Sequence, residues 1–370
     1  MKKQNFDLFA VTALGLESVC VQELTGLGIK DVVLCKGGVS FQGGLEELYR
    51  TNLWLRSATR VLVRLGTFGC KDFPDLYRKS LRLPWGRFIK PGARIQVKAA
   101  SRGSRLMHTG RIAETVQESA GRVVGAADAS PDAPAQLVMV RFEDNQCQIS
   151  IDSSGELLHR RGYRQKIGLA PMRETLAAGI LMMLDWDVST PLVDPMCGSG
   201  TFIIEGALMG MQRPPGLARE FAFMQWPRYR PGLWQVLQTQ ARSAEQPVCI
   251  PLIGRDRDSD MVETACCNAT GAGVETVTMF EAAELGKGDV PTRAGLVLCN
   301  PPYGGRLGRD ESLSGLYRQL GEVYRSAYSG WKGAVLCPVG PLSKALGEGF
   351  DCVHLLSNGG LDVGLHVARL

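Results

Sequence analysis

The chain has 370 residues, 45% of them apolar and 21% charged, and a formal net charge of +5. That length excludes one ordinary domain and predicts two or three, each large enough to bury its own core. No apolar run approaches the roughly 18 to 20 residues that cross a bilayer, and acids at Asp7 and Glu17 interrupt any leader-like core at the start, so the expected compartment is the cytosol.

Residues 6 to 66 alternate strand and helix patterns. FDLFAVTA, DVVLC, GVSFQG and TRVLVRLGTF read as strands, and LESVCVQELTGLG and LEELYRTNLW as helices between them. Val19, Leu24 and Leu27 recur at helical spacing, and Gly28 supplies a stop. The set is similar to a ferredoxin-like unit and sets a first part at residues 1–66. QLVMVRFED and QCQISIDSS, joined at Asn145, read as a hairpin that partners this set later in the chain.

Charge is distributed unevenly. Met1 to Gln165 carry 24 Lys and Arg against 16 Asp and Glu, while the remainder carries 18 against 21. Lys71 to Arg122 account for the surplus, with 12 basic and 4 acidic residues. A basic module at 67–155 joined to a slightly acidic one suggests that the first grips a polyanion and the second does chemistry on it; a solvated basic surface without a partner is the alternative. Within it, DFPDLYRKSLRL reads as a helix, Pro84-Trp85 as a turn, RIQVKAAS as a strand, and His108 to Val124 as a second helix. The joining SRGSRLMHTGR, with Arg102 and Arg105, is either a loop that wraps phosphates or a mobile solvated one. Gly125 to Pro134 read as a polar linker. A boundary follows at 156–170, where LLHRRGYRQKIGLAP sets Arg160, Arg161 and Arg164 around Tyr163 as further candidates for RNA contact.

From residue 171 the pattern changes. MRETLAAGILMMLDW reads as an apolar helix covering a sheet face, and PLVDPMCGSGT, Pro191 to Thr201, as a buried parallel strand with a glycine turn before the helix TFIIEGALMGM. Gly198 and Gly200 let the backbone turn sharply and approach a ligand, while Asp194 at the strand end can pair with a positive group. Such turns serve dinucleotide, nucleotide and S-adenosylmethionine (SAM) enzymes alike, and the absence of a Gly-Lys-Ser/Thr loop counts against an NTPase. The eleven cysteines are scattered without a C-x-x-C pair, so free thiols are expected rather than a metal site or a disulfide framework, and Cys197 is read as lining the turn.

Beyond the breaker RPPG, residues 217–247 interleave Phe221, Phe223, Trp226, Tyr229 and Trp234 with arginines. These rings either stack on bases or form a small core. CIPLIGRD, ETVTMF, GLVLCNPPYG and GAVLCPV then alternate as strands with the helices SDMVETACCNATGA and SLSGLYRQLGEVYRSAY, before the terminal pair FDCVHLL and DVGLHVARL. This order predicts an α/β fold with a doubly wound, mostly parallel sheet and an antiparallel C-terminal edge. Asp194 to Gly200, Asp256 and Asn300 fall at carboxyl ends of strands, where such sheets bind cofactors.

Asp256 can hold ribose hydroxyls or cap a helix, and Asp258 suits the cap better. Phe280 to Leu285 should border an adenine. In Asn300-Pro301-Pro302-Tyr303, the side-chain carbonyl of Asn300 and the backbone carbonyl of Pro301 can accept both hydrogens of a planar exocyclic amine, with Tyr303 stacked on its ring. A rigid turn is the bland alternative. Methyl transfer to such an amine needs no strong base, since the proton leaves only after the nitrogen becomes cationic, and catalysis is mainly orientation and electrostatic support. An amine in a paired base must first be flipped out.

LHRRGYR, APMRETLAAGIL, PLVDPMCGSGTFIIEGAL and CNPPYGGRL together resemble the RlmL-type bacterial 23S rRNA (guanine-N2) methyltransferases, and the likeness covers essentially the whole chain. It implies an N-terminal α+β ferredoxin-like and THUMP RNA-binding region followed by a Rossmann-like class I SAM-dependent methyltransferase domain at 171–370. It also implies N2-methylation of a guanine in large-subunit ribosomal RNA or its assembly intermediate. Carried over by motif, Asp194, Met196, Cys197, Gly198, Gly200, Thr201, Asp256 and Arg257 line SAM, Pro171 and Thr175 lie near its methionine end, and Asn300 to Tyr303 hold the amine. Where the family has an aspartate for the adenine, this chain has Ala283 followed by Glu284. The chain ends at Leu370 after one methyltransferase domain, so the second, 7-methylguanine activity of some relatives is not expected. The same turn serves adenine-N6 and glutamine-N5 methylation, tRNA guanine-N2 is the nearest alternative substrate, and an inactive RNA-binding assembly factor is the alternative from another class.

Overall fold

The computed structural model describes residues 5–125, 135–164, 172–303 and 310–370. The chain forms two compact units, and the division is not linear. The first takes the residues up to Thr12, Cys20–Leu158 and Arg219–Thr239; the second takes Ala13–Val19, His159–Ala218 and Gln240–Leu370.

The N-terminal elements are β1 (Phe6–Thr12), α1 (Glu17–Gly26), β2 (Val33–Cys35), β3 (Gly38–Gly43), α2 (Leu45–Trp54), β4 (Ala58–Gly69), α3 (Phe73–Leu81), β5 (Ile95–Arg102), α4 (Thr109–Val124), β6 (Gln136–Glu143) and β7 (Gln146–Asp152). Their strands form one sheet in the order β2-β3-β1-β4-β7-β6-β5. The long β4 is the hinge of this arrangement: it pairs antiparallel with β1 through Asp7↔Arg64 and with β7 through Leu62↔Asp152. The expected hairpin of β6 and β7 therefore completes the sheet begun at Phe6. Asp144 and Asn145 turn it with φ of 49° and 62°, the left-handed pair that a two-residue hairpin demands. Asp72 caps α3 by accepting from the Asp75 amide at 2.8 Å, and Gly125 ends α4 in the left-handed region. The polar linker expected before Pro134 lies outside the described residues from 126 onward.

The aromatic insertion belongs to this first unit and is core. Phe221, Phe223, Trp226 and Trp234 are buried. Phe223 stacks on Tyr49 of α2 at 4.3 Å, Trp226 meets Phe88 edge-on at 5.0 Å, and the Trp226 indole donates to Gln136 at 2.8 Å. Their partners lie 90 or more residues away, so spacing within the insertion carried no sign of them.

The second unit contains α5 (Glu174–Met183), β8 (Leu192–Asp194), α6 (Thr201–Gly210), the C-terminal end of α7 (Pro231–Ser243), β9 (Leu252–Asp256), α8 (Ser259–Ala272), β10 (Met279–Ala282), β11 (Leu296–Cys299), α9 (Asp310–Ala327), β12 (Lys332–Cys337), α10 (Pro341–Ala345), β13 (Asp351–Asn358) and β14 (Leu361–Arg369). The sheet order is β10-β9-β8-β11-β12-β14-β13, parallel from β10 to β12, with β14 antiparallel between β12 and β13. The doubly wound expectation with an antiparallel edge holds. Leu192, Leu296 and Leu298 pack on one face with Leu176 and Ile180 of α5, while Val193, Val297 and Cys299 pack on the other with Tyr317, Leu320 and Tyr324 of α9. Burial on both faces explains why these strands read as unbroken apolar runs.

One strand was misplaced by sequence pattern. ETVTMF alternates β-branched residues, yet the Val277 amide and the Thr278 hydroxyl both bond to the Val274 carbonyl. That turn holds the chain off the sheet until Met279.

Candidate active site

Strand order reverses between β8 and β11, the switch point at which a doubly wound sheet opens a crevice. The register pairs Leu192 with Leu296 and Val193 with Val297. Carried one step further, it sets Asp194 beside Leu298, so Asn300 lies just past the end of β8.

Asp194 is 2% exposed and accepts from the Met196 amide at 3.0 Å. Burial pushes its carboxyl well above the usual range, and the charge of Asp256 adds to the rise. The turn is built by backbone bonds: Cys197 donates to the Arg255 carbonyl at 2.7 Å, Gly200 to the Cys197 carbonyl at 2.9 Å, and Gly198 to the Asp256 carboxylate at 2.9 Å. The two glycines are needed for different reasons. At Gly200, with φ 80°, a Cβ would stand 2.9 Å from the Phe280 ring and 3.0 Å from Ala265. At Gly198, with φ 51°, a Cβ would meet nothing within 4 Å, so the backbone there faces open space. Phe280, expected beside an adenine, turns its ring against Gly200 and Gly254. Burial raises the Cys197 thiol well above its ordinary range, with Asp194 and Asp256 adding to the effect, which removes it as a nucleophile.

Asp256 accepts the Gly198 amide on one oxygen and the Asp258 amide, at 3.0 Å, on the other. A carboxylate has about four lone-pair sites, so two acceptor positions remain for hydroxyl groups. Asp258 is the cap of α8, accepting from the Asp260 amide at 2.9 Å. Arg257 is exposed, Met196 is half-buried and Thr201 is buried. Ala283 continues from β10 and donates to the Asp256 carbonyl at 2.9 Å, and Glu284 is exposed. Thr175 is fully enclosed in α5, and Pro171 lies outside the described residues.

At the tip of β11 the backbone leaves the core through Asn300. Its Oδ1 is buried with no hydrogen-bond partner among the described residues. An unmet buried acceptor costs roughly 1–3 kcal/mol and calls for an explanation. Pro301 is buried, the Tyr317 hydroxyl donates to the Pro302 carbonyl at 3.3 Å, and the Asn358 amide donates to the Tyr303 hydroxyl at 2.6 Å. Tyr303 is 7% exposed and packs with the apolar cluster of α5 and α6, so it is fixed in the site's wall rather than displayed as a free ring. Asn358 and Tyr317 were missed from sequence; Asn358 reaches the motif from β13 and Tyr317 from α9, and no local pattern announces them.

Two of the expected RNA contacts are corrected. Arg161 is 4% exposed and pairs with the buried Glu205 at 3.4 Å, which also accepts from the Tyr163 hydroxyl at 3.2 Å. Arg164 bonds Glu174 at 3.0 Å, the Met172 carbonyl at 3.0 Å and Thr201 at 3.2 Å. Both face inward, because Glu205 and Glu174 sit on apolar helices and each needs a cationic partner. Arg160 is exposed. Arg102, the last residue of β5, and Arg105, in the loop beyond it, are exposed, and that loop is pinned rather than loose: the Arg105 amide bonds the Asn145 side chain at 2.8 Å, and the Ser104 hydroxyl accepts from the Asn145 amide at 2.9 Å. A separate cleft of about 470 Å³, lined by Tyr163, Arg213, Pro214 and Arg242, opens at the C-terminal ends of α6 and α8, opposite the glycine turn.

Family models match an RlmL ferredoxin-like domain at residues 7–62, a THUMP domain at 70–152 and an RMKL-like methyltransferase domain at 161–349. The chain is 34% identical over 360 residues to a Synechocystis sp. protein named as an RNA methyltransferase, spanning 95% of this chain and 94% of that one. It is 37% identical over 375 residues to the ribosomal RNA large subunit methyltransferase K/L of Methylococcus capsulatus, spanning 97% of this chain but 50% of that protein. It thus covers about half the length of such K/L relatives. Among solved structures, SMU.472, a methyltransferase complexed with SAH, superposes with a TM-score of 0.91 at 32% identity over 100% of this chain and 99% of that one. TrmN from Thermus thermophilus shares the fold, with a TM-score of 0.75 at 21% identity over 99% of this chain and 100% of that one.

Proposed function

This chain belongs to the RMKL-like methyltransferase family, and from that premise we propose that it transfers a methyl group from SAM to the exocyclic N2 of a guanine in large-subunit ribosomal RNA. The cofactor is SAM, which supplies a sulfonium methyl group. The residues present fit it: an open approach at Gly198, two spare acceptor positions on Asp256, and buried carboxyl and amide groups converging at one switch point. Gly198 and Gly200 bring the backbone to the ligand, Met196, Cys197, Thr201 and Arg257 border it, and Asp256 accepts from the ribose. Ala283 and Glu284 offer only a backbone and an exposed carboxylate near the adenine, and Thr175 supports the methionine end through α5.

The observation that carries the substrate reading is the unmet buried Oδ1 of Asn300, to which the reading adds the carbonyl of Pro301, the next residue in the chain. Two acceptors on one rigid strand tip suit the two N–H bonds of a planar amine. Held there, the nitrogen is aimed along the line of displacement, and the growing positive charge on it is stabilised by both oxygens. No base acts before transfer. Tyr303 forms an aromatic wall for the base. We assign RNA contact to Arg102 and Arg105 in the basic N-terminal module and to Arg160 in the joining segment, with the ferredoxin-like part at 1–66, the THUMP part at 67–155, the joining segment at 156–170 and the transferase at 171–370. The large-subunit names of the K/L relatives support ribosomal RNA as the polyanion.

Mass mapping of modified nucleosides in ribosomal and transfer RNA from cells lacking the protein tests this. One N2-methylguanosine should disappear from 23S rRNA. Loss from tRNA instead would move the substrate to tRNA, and unchanged nucleosides in both would refute the proposal.

A further inference from the structure

Asn358 is the last residue of β13, where the hairpin turns through Gly359 and Gly360 into β14. β13 is the edge strand, with β14 and β12 between it and β11. The 2.6 Å bond from the Asn358 amide to the Tyr303 hydroxyl therefore ties the tip of the C-terminal hairpin to the strand end that carries Asn-Pro-Pro-Tyr. On the other side, Tyr317 of α9 donates to the Pro302 carbonyl at 3.3 Å. The motif is gripped at Pro302 and Tyr303, while the Asn300 Oδ1 has no partner among the described residues.

A phenol oxygen lies on the axis about which its ring flips, so a bond to it fixes where the ring points, and packing fixes which face it shows. Between Tyr303 and Asn300 lie two prolines whose φ angles are locked, so a shift at the ring is passed to the amide rather than absorbed.

We infer that Asn358 is a positioning residue for methyl transfer: it holds Tyr303 in the pose that receives the base and, through Pro301 and Pro302, keeps Asn300 aimed at the amine. This rests on the substrate reading above. Asn358 acts through Tyr303 and touches no reacting atom. The hairpin that closes the sheet thereby becomes part of the substrate site.

The test is transfer of labelled methyl from SAM to 23S rRNA prepared from cells lacking the protein, with thermal unfolding measured in parallel. Asn358→Ala should lower kcat about tenfold, the scale of one lost hydrogen bond, with KM for SAM close to wild type and the unfolding midpoint lowered by no more than about 3 °C. Asn358→Asp should recover most of the rate, because its carboxylate accepts from the phenol and restores the bond with donor and acceptor exchanged. Tyr303→Phe should match Asn358→Ala, and the double variant should lose no more than either single one. Full kcat in Asn358→Ala, no recovery in Asn358→Asp, or additive losses in the double variant would each overturn the positioning role while leaving the substrate reading intact. A wild-type protein that moves no methyl to RNA overturns the substrate reading, and this inference falls with it.

Discussion

Replacing Asn300 with alanine separates a catalytic amide from a structural one. The buried Oδ1 has no hydrogen-bond partner among the described residues, so the folded protein carries its desolvation cost of roughly 1–3 kcal/mol. Alanine removes that cost and loses only a few packing atoms, worth about 1 kcal/mol. Stability should therefore stay within about 1 kcal/mol of wild type or rise, as expected where a site holds strain for function. Activity should move far more, because loss of one preorganised polar group at a developing charge costs about 100- to 1000-fold in kcat. Denaturant unfolding, calorimetric titration with SAM and methyl transfer to 23S rRNA read the three quantities separately. Near-wild-type turnover would show that another group holds the amine. A stability loss above about 2 kcal/mol with weakened SAM binding would show that Asn300 is a packing residue, since that is the scale of a lost buried network.

Charge reversal at Arg102 and Arg105 should weaken RNA binding and reduce the slope of log affinity against log salt by roughly two. Arg161→Ala should leave that affinity unchanged but destabilise the fold by about 3–5 kcal/mol, because Glu205 stays buried without its cation; equal effects of both changes on RNA affinity would contradict the placement of these arginines. Gly200→Ala should cost about 2–4 kcal/mol of stability through its positive φ and the close Phe280 ring, whereas Gly198→Ala should cost about 1 kcal/mol and chiefly weaken SAM binding, and the opposite ranking would sink the assignment of the open space. Burial, with the guanidinium groups of Arg173, Arg161, Arg160 and Arg164 around it, brings His159 down to about 4. Its folded form stays neutral while the unfolded form takes a proton below about 6.5, so stability should fall as pH drops from about 6.5 to 4. His159→Gln should flatten that part of the unfolding curve against pH, and an unaltered curve would exclude the histidine as its source.

What could be read from the sequence follows from the range of the interactions. The glycine turn, each strand-end acid and Asn-Pro-Pro-Tyr are short contiguous segments at strand ends, so their place in the fold could be read directly. The doubly wound sheet was legible because burial on both faces leaves an apolar run in every strand. Arg161 and Arg164 were misread because a basic heptapeptide looks the same whether its charges face solvent or the carboxylates of Glu205 and Glu174, and only the folded helices α5 and α6 supply those. The insertion at Phe221 to Trp234 stayed open between base stacking and a small core for the same reason: Tyr49, Phe88 and Gln136 decide it from a distance. Thr278 and Val277 show the converse error, in which β-branched residues suggested a strand where a turn onto Val274 was the stronger local interaction.

A crystal structure of the full chain with S-adenosylhomocysteine bound measures the central arrangement most directly. The thioether sulfur should lie over Gly198 on the side facing Asn300, with the ribose hydroxyls on Asp256 and the Asn300 Oδ1 turned toward the open space beside the sulfur. A ligand seated away from the glycine turn, or an Asn300 amide turned into packed side chains, would contradict it.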